Sequence, residues 1–134
     1  MYYQVTVVIP ANTLEADPVI TTLTLTKGVI ATLRVGFPPG CAGLAHVVIR
    51  EKGWQICPWS LEESLHWDGY VFEFKPQYPM SSDPYDLTIH SWNLDDSYEH
   101  TVFVGAEVVG EELSLLAWSG GSLYIGEGES WLTK

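Results

Sequence analysis

The chain has 134 residues, 46% of them hydrophobic, with 6 Lys and Arg against 17 Asp and Glu and a formal net charge of −11. This length and apolar content predict one domain with its own core and exclude an intrinsically disordered chain. The negative charge disfavours nucleic acid and anionic bilayers as partners, and no apolar run approaches the roughly 20 residues that span a membrane.

Apolar and polar residues alternate with a period of two through most of the chain. This predicts β-strands, because successive side chains on a strand point to opposite faces of its sheet. The predicted strands are residues 2–9, 19–26, 29–35, 44–51, 54–57, 70–75, 85–90 and 98–108. Because only Lys27-Gly28 separates the second strand from the third, these two are predicted to form a hairpin.

Prolines mark most of the predicted loops, since proline lacks the N–H donor that a strand ladder needs. Residues 36–40 predict a restricted loop, residues 58–68 a long loop and residues 76–84 a further surface loop. A polar turn is predicted at residues 92–97, where Asn and Asp favour turn geometry.

Seven or eight strands at these spacings, with no alternation of strands and helices, indicate an antiparallel sheet architecture. The sequence therefore predicts an all-β fold, an antiparallel β-sandwich of jelly-roll or immunoglobulin-like topology, over residues 1–109.

Residues 110–134 differ in pattern, because glycine pairs interrupt short apolar pieces. They predict either an extended C-terminal arm that covers its apolar side chains on another subunit or a terminal hairpin on the same domain. The candidate interface residues are Leu113, Leu115, Leu116, Trp118, Leu123, Tyr124, Ile125 and Trp131.

The four histidines raise the possibility of a metal site, because imidazole is a common ligand. His46 and His90 are predicted on the solvent faces of separate strands, His66 in the long loop and His100 at the start of a strand. No His-x-His or His-x-x-x-His pair fixes two ligands on one element. We therefore favour surface and turn roles and predict no metal.

Asp95, Asp96 and Glu99 concentrate carboxylates at the predicted polar turn, as a calcium loop does. They lack the ordered Asp-x-Asp-x-Asp-Gly spacing that ends in glutamate. Asx side chains also favour turns through local backbone hydrogen bonds, so a plain turn is the preferred interpretation.

Catalytic motifs are missing from the sequence. There is no Gly-x-Ser-x-Gly elbow, phosphate-binding loop or dinucleotide fingerprint. Cys41 and Cys57 are too few for a disulfide framework, and two buried thiols are the simplest interpretation. We predict no catalytic residue and no cofactor.

Tryptophans at or near loops are the candidate ligand-binding residues, since an exposed indole can stack on a sugar or anchor an interface. Trp59, Trp67 and Trp92 are singled out, with Trp54 nearby. In the alternative, Trp67 and Trp92 cap the open ends of the sandwich.

Residues 23–30, 37–41, 84–89 and 92–96 resemble segments of small β-sandwich proteins from virus and phage particles. The resemblance spans about residues 3–109 and implies a capsid decoration protein or a minor capsid or tail component. Such proteins are usually trimeric or sit at symmetric positions on a shell, which they bind through loops and terminal arms. The amino terminus lacks the pattern of a secretory signal, so we expect synthesis in a host cytoplasm and residence in the virion.

Two functions from different classes follow. The first is a non-enzymatic structural protein that associates with itself and with a capsid or other assembly protein. The second is a carbohydrate-binding sandwich that uses exposed tryptophans.

Overall fold

Nine β-strands form residues 1–110, the part of the chain that the structure, a computed structural model, describes. The strands are β1 Tyr2–Ile9, β2 Val19–Thr24, β3 Gly28–Phe37, β4 Ala45–Glu51, β5 Trp54–Cys57, β6 Tyr70–Phe74, β7 Tyr78–Met80, β8 Asp86–Asn93 and β9 His100–Val109. No helix of the length and hydropathy needed to cross a bilayer occurs among these 110 residues.

The strands form two antiparallel sheets, so the predicted β-sandwich is confirmed. Sheet A has the order β1-β9-β3-β6, with β7 also paired to β3, and sheet B has the order β2-β8-β4-β5. β9 pairs with one edge of β3 along almost its whole length. β6 and β7 therefore both pair with the opposite edge of β3.

The strands pair as the two arms of one long antiparallel hairpin, and this hairpin is rolled up into two sheets. β4 meets β5 at the Lys52-Gly53 turn, where both residues have left-handed φ angles of 51° and 85°. Further out, β3 pairs with β6 and β7, β2 with β8, and β1 with β9. The roll then brings β9 against β3 and β8 against β4. This is the strand order of a jelly roll.

The predicted hairpin of residues 19–35 is wrong. β2 pairs with β8 in sheet B, whereas β3 pairs within sheet A, so Lys27-Gly28 carries the chain from one sheet to the other. Gly28 has a φ of 151°, and a Cβ there would meet the Val109 carbonyl oxygen at 2.5 Å. The glycine therefore lets the chain cross between the sheets in close contact with the end of β9.

Two loop predictions also need correction. The segment 76–84 contains the short strand β7, which pairs with Gly28–Ile30 despite Pro79. The predicted turn at residues 92–97 begins too early, because β8 continues through Trp92 and Asn93.

The core lies between the sheets and comes from the alternation that the sequence shows. Leu33, Val35 and Phe37 of β3 face inward, as do Val102 and Val104 of β9, and all are nearly inaccessible to solvent. Burial of such side chains contributes about 1.5–3 kcal/mol each. Among residues 1–110, the buried cluster runs from Val7 to Val108 and draws on both sheets.

The two long sides of the sandwich differ. On one side β1 contacts β2, and the Tyr3 hydroxyl lies 3.1 Å from Thr26 Oγ1. On the other side the sheets end in β5 and in β6 with β7. The Tyr78 hydroxyl donates to Glu51 Oε1 across that gap at 2.6 Å. This second side is open along β6 and holds the candidate site.

Candidate interface on the open side of the sandwich

Three aromatic side chains of β6 form a ladder along the open side. Tyr70, Phe72 and Phe74 lie opposite the buried residues of β3, which sets them on the inward face. The Phe72 ring packs edge-on against Tyr70 at 4.9 Å and stacks on Phe74 at 6.1 Å. Since no further strand covers β6 within residues 1–110, Phe72 and Phe74 are only partly buried and Tyr70 is exposed.

Two depressions of about 480 and 500 Å³ follow this ladder. Phe74 and Trp59 line the first, together with Tyr78, and Tyr70, Phe72 and Trp67 line the second. We call the two depressions together the seam cleft, lined by Trp59, Trp67, Tyr70, Phe72, Phe74 and Tyr78. Its walls are mainly apolar, so it suits an apolar occupant.

The loop of residues 58–68 forms the wall that faces β6, and hydrogen bonds fix its course. Gln55 Nε2 donates to the carbonyl oxygens of Pro58 at 2.7 Å, Ser60 at 3.0 Å and Glu63 at 3.3 Å. Further along, the Leu65 and Val47 backbones exchange two bonds of 2.9 Å. The loop is therefore hydrogen-bonded to β5 through residues 58–63 and to β4 through Leu65, and both strands belong to sheet B.

Asp68 fixes the end of the same loop. Its Oδ1 accepts hydrogen bonds of 2.8 Å from the backbone N–H groups of Gly40 and Ala42. The bond from Ala42, followed by that from Gly40, lowers the pKa of the Asp68 carboxyl below its ordinary value. The carboxylate thus holds the Pro38–Pro39–Gly40 turn beside Trp67.

The structure separates the candidate tryptophans. Trp59 is 72% exposed and Trp67 57% exposed, and both flank the seam cleft. Trp54 is 75% exposed on β5 and lines neither depression. Trp92 is 7% exposed, so it does not present the exposed indole on which a ligand could stack. It belongs to β8, and its ring stacks on His46 at 5.3 Å with 6° between the planes.

The candidate interface residues of the C-terminal segment lie outside the described residues, as does the whole segment 111–134. They are Leu113, Leu115, Leu116, Trp118, Leu123, Tyr124, Ile125 and Trp131. Their role stays a prediction.

Two histidines that the sequence placed on separate elements lie together. The rings of His46 and His66 are 4.5 Å apart, and His46 Nδ1 lies 2.7 Å from Ser64 Oγ. Burial, with His66 as the second cause, lowers the pKa of His46 to about 4. Sequence reasoning missed this pair because it depends on the Leu65–Val47 bridge, a long-range contact that brings the loop onto β4.

The acidic turn uses its carboxylate for local structure. Asp95 Oδ1 accepts hydrogen bonds from the N–H groups of Ser97 and Tyr98, and Asp95 Oδ2 lies 2.9 Å from His100 Nε2. The Ser97 bond is the main cause that lowers the pKa of the Asp95 carboxyl. Residues 1–110 contain no group of three or more His, Cys, Asp or Glu side chains arranged to hold a metal ion.

The two cysteines are buried and are not joined in a disulfide. Burial raises the pKa of Cys57 to about 12 and also raises the pKa of Cys41, to which the nearby Asp68 charge adds. Both thiols are therefore protonated at neutral pH, and neither presents the thiolate that nucleophilic chemistry needs.

Comparisons with known proteins give no relative. No protein-family model matches the chain, no curated protein matches it in sequence, and no solved structure matches it in fold.

Proposed function

We propose that the protein is a non-enzymatic structural component that self-associates and attaches to a larger assembly. The observation that carries this proposal is the open side of the sandwich, where Trp59, Trp67 and the β6 ladder line two mainly apolar depressions. Exposed apolar surfaces of this kind mark interaction sites, and buried tryptophan and tyrosine side chains dominate the energetics of interfaces.

The proposed assembly is a virus or phage particle, in which the protein serves as a capsid decoration or minor structural protein. Support comes from the sequence resemblance and from the jelly-roll strand order, an architecture that viral capsid domains use. The proposed partners are further copies of the chain, with a trimer as one arrangement, and a capsid protein.

Removal of residues 111–134 tests the proposal. The shortened protein retains all nine described strands and their buried cluster, so it is expected to keep its β-sheet circular dichroism and its cooperative unfolding. We expect it to lose self-association in sedimentation velocity, because the apolar C-terminal residues supply one half of the contact. A folded, shortened protein that associates as the full chain does would contradict the arm proposal.

Carbohydrate binding is a second candidate, favoured by the strong exposure of Trp59 and Trp67 beside a groove. Both indoles present faces on which a pyranose ring could stack. A glycan array would show binding that Trp59→Ala removes and Trp54→Ala leaves intact, because Trp54 is equally exposed but outside the cleft. That result would displace the structural proposal.

A further inference from the structure

We infer that the seam cleft receives residues 113–118 of a second copy of this chain. The inference rests on the proposed self-association and names the contact that carries it. Three observations support it: the edge that β6 presents, the composition of the segment, and the place where the described chain ends.

The edge of β6 can accept another chain. β6 pairs with β3 on one side, and no strand within residues 1–110 pairs with its other side. Backbone groups at such an edge form hydrogen bonds with an incoming segment, while pockets beside the edge select its side chains. The ladder of Tyr70, Phe72 and Phe74 supplies those pockets on the inward face.

The segment matches the cleft in chemistry. Residues 113–118 read Leu-Ser-Leu-Leu-Ala-Trp, which brings three leucines and a tryptophan to a mainly apolar groove. Glu111 and Glu112 come directly before them, and Lys75, which pairs with Glu73 at 3.2 Å, lies in the wall of the cleft beside Phe74. An exposed cation at the rim is therefore compatible with the acidic residues that precede the segment.

The described chain ends close to the cleft. Val109, the last residue of β9, lies opposite Val29, and Gly110 lies beside Pro79 and Met80. Pro79 also lines the first depression of the cleft. A segment that starts after Gly110 thus begins at one end of the cleft, and two copies related by a two-fold axis can exchange their segments reciprocally.

Mixing two full-length variants tests the contact. Trp59→Ser damages the cleft and leaves the segment intact, whereas Leu115→Ser/Leu116→Ser damages the segment and leaves the cleft intact. We expect each variant alone to associate about tenfold or more weakly than the wild type. A one-to-one mixture is expected to recover a dimer, since one intact segment then meets one intact cleft. Trp54→Ser, with the same side chain and similar exposure outside the cleft, is expected to associate as the wild type does.

Each outcome in sedimentation velocity has one meaning. A monomeric wild type contradicts the proposed function itself. A wild type that associates and is unaffected by Trp59→Ser or by the double substitution overturns this contact alone. Two monomeric variants whose mixture stays monomeric also overturn it, because an intact segment and an intact cleft on different copies then fail to bind each other.

Discussion

His46 lies on the outer face of sheet B between the rings of Trp92 and His66, with Ser64 Oγ at its Nδ1 atom. Ser64 and His66 belong to the loop that carries Trp59 and Trp67, so the imidazole is one of the contacts that hold this loop against β4. A proton on His46 would add charge to a partly buried ring beside a second histidine. Folding therefore favours the neutral ring.

This setting predicts a pH-dependent stability that resides in His46. Its pKa is about 4 in the folded protein, against an ordinary value of 6.5. Above pH 6.5 the ring is neutral in both states. As the pH falls from 6.5 towards 4 the unfolded chain binds the proton first, so the folded state is destabilised. Between pH 7 and pH 5 we expect a loss of about 1 kcal/mol, after allowance for solvent screening.

Urea denaturation of the wild type and of His46→Gln at both pH values measures this loss. Other titrating groups, including His90, are common to both proteins, so the difference isolates His46. We expect the variant to lose less stability than the wild type on acidification. Equal losses in the two proteins would show that His46 titrates normally.

At the scale of the element, Gln55 fixes the course of the loop that begins at residue 58. Its side-chain amide reaches three carbonyl oxygens of residues 58–63, a stretch in which Glu62 has a left-handed φ of 70°. That conformation is costly for a residue other than glycine, so the loop needs external bonds to keep it. The position of Trp59 in the seam cleft therefore depends on Gln55.

Gln55→Leu is expected to loosen this loop at a cost of about 1 kcal/mol in global stability, because the freed carbonyl groups can still bind water. Hydrogen exchange at the Glu63 amide, which bonds to the Ser60 carbonyl at 3.2 Å, should become faster. Gln4→Leu is the matched control, since Gln4 forms one exposed side-chain bond, with Tyr2. Unchanged exchange at Glu63 would show that the loop holds itself.

The alternation of apolar and polar residues predicts where most strands lie, but it does not predict which strands pair. It predicted eight of the nine strands, because the inward apolar residues of each are visible in the sequence. β8 was predicted too short because its inward face becomes polar at Ser91 and Asn93, both fully buried. Asn93 Nδ2 donates to the Ile9 and Tyr98 carbonyl oxygens, which satisfies a side chain that the pattern assigns to a turn.

The predicted hairpin of β2 and β3 also shows that alternation does not identify which strands pair. Two adjacent strands with a Lys-Gly connection fit a hairpin and fit a crossing between sheets equally well. The distinction depends on contacts with β8 and β9, which are far away in the chain.

At the scale of the whole molecule, the rolled hairpin explains where the candidate site lies. Rolling closes one side through β1 and β2 and leaves the other side to β5 and β6. The sequence predicted Trp59 and Trp67 as binding residues because they fall in a loop. It could not predict that they face the β6 ladder, since that juxtaposition requires both the β3–β6 pairing and the Leu65–Val47 bridge.

The native mass of the full chain tests most directly whether this open side is an association surface. The monomer mass is 14.9 kDa, and sedimentation equilibrium over a range of protein concentrations measures the assembled mass without reference to any ligand. Self-association predicts a mass that is an integral multiple of the monomer value, with a population that grows with concentration. A single species of monomer mass at every concentration would contradict the account.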